Sequence, residues 1–145
     1  MNEADIIVSD AIAMFNRRGD PSNKTNQFDS FGADIQKIIG TKMNNGEIPA
    51  IASCIDTDHV TVITSDRLIR ITNGVSVGWA WEDIKDITMN IQRQLVTGAK
   101  SLGQCNQLEV VLRSGATETV LVEPGLPMGG FWNAALCVLR RKTSG

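Results

Sequence analysis

Residues 60–91 read VTVITSDRLIRITNGVSVGWAWEDIKDITMNI, a succession of short apolar runs broken by two-residue turns at Ser65-Asp66 and Asn73-Gly74. Asn-Gly between two β-rich runs is the strongest short hairpin signal, because both central residues of the tight turn need a positive φ that Asn and Gly tolerate. Val75, Val77, Trp79 and Trp81 alternate with Ser76, Gly78 and Ala80, which predicts four large side chains on one sheet face. Ile84 breaks the parity that Ile87, Met89 and Ile91 resume, so a bulge or turn is expected ahead of that strand.

Outward from this stretch the same pattern continues on both sides. Pro49 to Ile55 is a β-rich run ending at an Asp-Thr-Asp turn, and Leu108, Val110 and Leu112 alternate up to Ser114-Gly115 before Val120 and Val122 alternate back. Seven strands are therefore predicted, at 49–55, 60–64, 67–72, 75–81, 85–91, 107–113 and 117–122. All but one of their connections are short, which favours antiparallel neighbours. Before them, Ala4, Ile7, Val8, Ala11, Met14 and Phe15 recur at helical spacing, and Gly19 to Asn23 ends that helix. A second helix is expected from an N-cap at Ser30, with Phe31, Ile35, Ile38, Ile39 and Met43 on one stripe and Asn44-Asn45-Gly46 as its stop. After Pro124 to Pro127, the residues Met128, Phe131, Trp132, Ala135, Leu136 and Leu139 line one face of a C-terminal helix. The expected fold is α+β: a seven-stranded antiparallel barrel or sandwich capped by that helix, with two extra N-terminal helices. Residues 1–45 form a helical extension packed on the core on this reading, and residues 46–145 the principal domain.

Composition excludes several function classes. The chain has 145 residues, 42% hydrophobic and 21% charged, as an ordinary globular protein does, so one domain is the simplest division. A net charge of -2 and a pI near 5.3 disfavour nucleic-acid and anionic-membrane partners, which need a basic face. Arg140-Arg141-Lys142 suits a helix C-terminus. Cys54, Cys105 and Cys137 are scattered among apolar or small neighbours, and the single histidine, His59, has no cysteine near it, so neither a disulfide framework nor a zinc site is expected. Without a basic, apolar leader or a long apolar run, the chain reads as cytoplasmic with reduced thiols. That setting removes the meaning of the Asn23-Lys24-Thr25 sequon and the Arg18-Gly19-Asp20 tripeptide.

From Gly46 to Arg141 the pattern resembles the pleckstrin-homology (PH) superfold, in particular the small bacterial PH-like domains. The residues that carry the resemblance are Gly46-Glu47 before the first strand, Thr64-Ser65-Asp66-Arg67-Leu68-Ile69 at the second turn, Trp81-Glu82-Asp83-Ile84, and the single closing helix. Lipid-binding PH domains carry basic residues around the first hairpin loop. Here that loop reads Asp56-Thr57-Asp58-His59, and its carboxylates would repel a polyphosphate headgroup. The resemblance then implies a scaffold for binding protein or peptide.

Candidate catalytic features each have a plainer reading. Gly98-Ala99-Lys100-Ser101 looks like the end of a phosphate loop, yet Gln94 and Ala99 stand where its glycines belong. Asp58 and His59 are neighbours on a strand and point to opposite faces, so His59 reads as a turn-edge residue with a structural hydrogen bond. Glu82, Asp83 and Asp86 read as solvated charge, and the tryptophans with Phe131 as core. No cofactor, metal or catalytic residue is expected. The expected function is non-enzymatic protein binding, in a specific form that of an immunity protein neutralising a cognate bacterial toxin. Asp56, Thr57, Asp58 and His59 are the expected contact. Two alternatives remain open: a small-molecule-binding or enzymatic NTF2-like domain with a pocket between helices and sheet, and homodimerisation by sheet extension.

Overall fold

A computed structural model describes residues 2–19, 21–96 and 104–143. Helix α1 (Glu3–Arg18) opens on Asn2, whose side chain accepts from the Asp5 amide at 2.9 Å. It buries Ile7, Ala11 and Phe15, a stripe at four-residue spacing. Strand β1 (Thr25–Gln27) and a 3-10 turn (Phe28–Ser30) follow, then α2 (Ala33–Gly40). Ser30 closes the 3-10 turn, and the helix is capped by Gly32 with no side-chain bond, later than expected.

Strands β2 (Pro49–Asp56), β3 (His59–Thr64), β4 (Arg67–Thr72) and β5 (Val75–Ala80) form antiparallel hairpins, and β1 pairs with β2. The resulting sheet has the order β1-β2-β3-β4-β5. Asn73 (φ 51°) and Gly74 (φ 80°) both take the positive φ that the tight turn requires. After a 3-10 turn at Trp81–Asp83, strands β6 (Ile84–Thr88), β7 (Gln107–Leu112) and β8 (Thr117–Leu121) make a second antiparallel sheet, β6-β7-β8. Helix α3 (Ile91–Val96) lies between β6 and β7, and α4 (Leu126–Thr143) ends the chain.

Three expectations need correction. There are eight strands among the described residues, because Thr25–Gln27 adds one, and the two sheets do not close into a barrel. The strand expected at 85–91 stops at Thr88, where the chain turns into α3. The irregularity foreseen at Ile84 is present as a register shift between Ile84 and Asp86, and it lets Ile84 and Ile87 both be buried.

The five-stranded sheet separates two apolar clusters. On one face Ile51, Ile63 and Leu68 meet Leu108, Val110 and Val120 of the second sheet, with Phe15 of α1 and Phe131 of α4. On the other, Ala52, Cys54, Val60, Val62, Ile69 and Ile71 are covered by α2 through Ile39, with Phe28, Phe31, Ile35, Ile38 and Met43 around it. Alternation along β3 and β4 feeds both clusters, which is why those strands are apolar on both sides.

Candidate functional site at the hairpin tips

Asp56, Thr57, Asp58 and His59 lie together at one end of the five-stranded sheet, with Thr57 and Asp58 as the two-residue turn between β2 and β3. Asp56 Oδ1 accepts from the Asp58 amide and contacts His59 Nδ1, both at 2.8 Å. The histidine is thus held by the residue across the turn and not by adjacent Asp58. Its hydrogen bond is the main cause that holds the Asp56 carboxyl below its ordinary value. Both side chains face solvent, His59 at 38% and Asp56 at 55% exposure.

A second tip joins this one. The Asn73 amide donates to the Asp58 carbonyl at 2.9 Å, so the β2–β3 and β4–β5 turns form one ledge. Beside it an open groove of about 430 Å³ is lined by His59, Arg70, Thr72, Val75, Val77 and Leu121. Val75 is 66% exposed and Val77 39%, although alternation alone placed them with the core-facing tryptophans. The register explains this: Val75, Val77 and Trp79 stand opposite Thr72, Arg70 and Leu68 on the outermost strand, and the second sheet does not reach over its end. Trp81 leaves that row. It turns inward, fully buried, with Nε1 donating to the Thr64 carbonyl at 2.9 Å.

Arg70 is the cation of the groove. Its Nη1 donates to the Thr119 carbonyl at 2.8 Å and lies 3.5 Å from Glu118 Oε2, while the guanidinium sits 5.3 Å from the Trp79 ring centroid. Thr61 Oγ1 donates to the Leu121 carbonyl at 2.7 Å. These two bonds fasten β8 across the first sheet and set the groove's floor. Sequence reasoning picked out the tip but missed Arg70, Val77 and Leu121, since only the packing of one sheet on the other brings them to it.

The residues quoted for the family resemblance also meet, in a buried network away from the tips. Glu47, with a side chain 0% exposed, accepts from Arg67 Nε (2.9 Å) and Nη2 (2.7 Å), Thr64 Oγ1 (2.6 Å) and the Asn44 amide (3.0 Å). Trp81 joins through Thr64. Burial pushes the Glu47 carboxyl up, but the Arg67 bonds and those from Asn44 and Thr64 outweigh it, and the net displacement is downward. With Arg67 also donating to the Lys42 carbonyl at 3.0 Å, the network pins the segment after α2 to the β3–β4 turn.

Glu82, Asp83 and Asp86 are exposed. Among the described residues no three metal-ligating side chains are grouped, and no helix is long and apolar enough to cross a membrane. Gly98-Ala99-Lys100-Ser101 lies outside the described residues. Between α1 and the sheet a hollow of about 180 Å³, lined by Val8, Ile12, Phe28 and Pro49, is smaller than the ~300 Å³ at which ligand pockets ordinarily begin. No family model, curated protein or solved structure matches the chain.

Proposed function

We propose that the chain is a PH-like, non-enzymatic module that binds another protein through the ledge made by the two hairpin tips. The observation that carries this reading is the bond from Asn73 to Asp58, which fuses two turns into one surface beside exposed Val75 and Val77. Loops held on a rigid sheet are where binding residues concentrate. Carboxylates at Asp56 and Asp58 next to an apolar groove suit a partner with a basic patch around an apolar anchor. An immunity protein facing a basic toxin is the specific form of this proposal, since acidic charge on the inhibitor accelerates encounter. The eight-stranded, open arrangement is compatible with a PH-like core to which β1 has been added.

The test is affinity capture of the tagged chain from its native cytosol, with mass spectrometry of the eluate. One stoichiometric protein is expected, bound less tightly as salt rises. Reversal of charge in Asp56→Lys/Asp58→Lys is expected to weaken binding about tenfold or more. An eluate without such a protein, or affinity unmoved by the reversal, overturns the reading.

A further inference from the structure

Sheet edges expose unpaired backbone groups, and proteins ordinarily blunt them with charge, proline, brevity or a cover. Three of the four edges here are blunted. Strand β1 has three residues, β6 carries exposed Lys85 and Asp86, and the carbonyls of Thr119 and Leu121 on β8 accept from Arg70 and Thr61. Strand β5 is different: six residues, VSVGWA, with no charge and no proline, paired on one side only among the described residues. Because Asn73-Gly74 is a two-residue turn, Thr72 and Val75 are the closing hydrogen-bonded pair, and Val77 and Trp79 also bond inward to β4. The Trp81 amide continues that parity by donating to the Asp66 carbonyl at 3.3 Å. The N–H and C=O groups of Ser76, Gly78 and Ala80 therefore point away from the sheet.

We propose that the chain forms a two-fold dimer in which β5 pairs antiparallel with β5 of a second copy, centred on Gly78. The occupant is argued from charge and register. The strand itself carries no charge, and the cations beside it, Arg67 and Arg70, are already paired with Glu47 and Glu118, so a second copy brings no unmatched charge to the edge. About a two-fold axis at Gly78, Ser76 of each chain faces Ala80 of the other, so all outward groups exchange bonds. Val77 then stands across from Trp79 of the second copy, an aromatic–β-branched pair of the kind that stabilises antiparallel sheets. On the opposite face the Arg67 side chain lies over Gly78, its Nη1 2.9 Å from where a Cβ would stand, so no side chain of β5 itself stands there at the axis. The interface is isologous, so it closes at two copies.

Sedimentation velocity on the full chain from about 1 μM to about 1 mM is expected to show a monomer passing to a dimer, and a monomer throughout overturns the proposal. Val77→Glu places two carboxylates by the axis while giving Arg70 a neighbour in the monomer, and Ser76→Pro removes an outward amide while leaving the β4–β5 bonds intact. Both are expected to sediment as folded monomers by near-ultraviolet circular dichroism. A dimer that survives in either folded variant places the interface elsewhere and overturns the proposal. Amide exchange in the unmodified chain needs no variant. The Ser76, Gly78 and Ala80 amides should slow at least tenfold on going from monomer to dimer concentrations, and equal rates in both overturn it.

Discussion

Glu47 is a carboxylate taken wholly out of water, and it is tolerable because four donors surround it, two of them on the Arg67 guanidinium. Removal of Arg67 leaves that charge without its counter-ion, so Arg67→Ala is expected to cost about 3 kcal/mol or more in urea unfolding. Glu47→Gln keeps the shape and loses charge-assisted bonds, for roughly 2 kcal/mol. The folded-state value of this carboxyl lies below its ordinary value of 4.5. Its stabilisation is therefore complete above the unfolded-state value and is lost as pH falls through the lower, folded-state one. The gap in urea midpoint between the unmodified chain and Glu47→Gln should be full near about pH 7 and shrink on acidification to about pH 3, and a gap that holds constant would sink this account. The residues of this network stood out in the sequence only as a pattern. That they touch is a consequence of the β3–β4 turn folding back over the segment after α2, which no local spacing encodes.

At the scale of elements, the C-cap of α1 meets α4 through two glycines, Gly19 and Gly130. A Cβ on Gly130 would stand 2.9 Å from the Gly19 Cα and 3.0 Å from Phe15 Cδ1, whereas one on Gly129 would meet nothing nearer than the Arg18 carbonyl at 3.8 Å. Alanine gains about 1 kcal/mol of helix propensity at either position. Overpacking against backbone costs about 1–3 kcal/mol and takes the larger share at Gly130. Gly130→Ala should thus lower the melting temperature by about 5 °C, while Gly129→Ala leaves it level or raises it slightly. Equal effects would mean the helices can separate freely. The same scale shows what could be read in advance. The Asn73-Gly74 hairpin, the α1 stripe and the bulge at Ile84 follow from local turn chemistry and periodicity. Strand β1 does not: Thr25 is buried because Glu123 and Ser53 hydrogen-bond it, across 98 and 28 residues of chain. Nor was the exposure of Val75 and Val77 legible, because alternation assigns a face and is silent on whether anything covers it.

Taken as a whole, the molecule has one sheet serving two interiors. The groove beside the hairpin tips and the second sheet belong to one side, and α2 belongs to the other. The N-terminal segment is part of this layering, since α1 supplies Ile7, Ala11 and Phe15 to the larger cluster. Compositional boundaries follow the chain, and apolar clusters follow the layers. One consequence concerns time. Cys54 lies in the smaller cluster, buried, its thiol pushed up to about 11 by desolvation. A thiol so placed reacts with a disulfide reagent only when the cluster it shares with α2 opens. Its labelling rate should exceed that set by global unfolding, and Ile39→Ala should quicken it at least tenfold, a change readable by stopped-flow absorbance. Labelling no faster than global unfolding would mean the two interiors open together. If α2 does lift alone, Cys54 is a clock that runs on one side of the sheet while the groove on the other side stays intact.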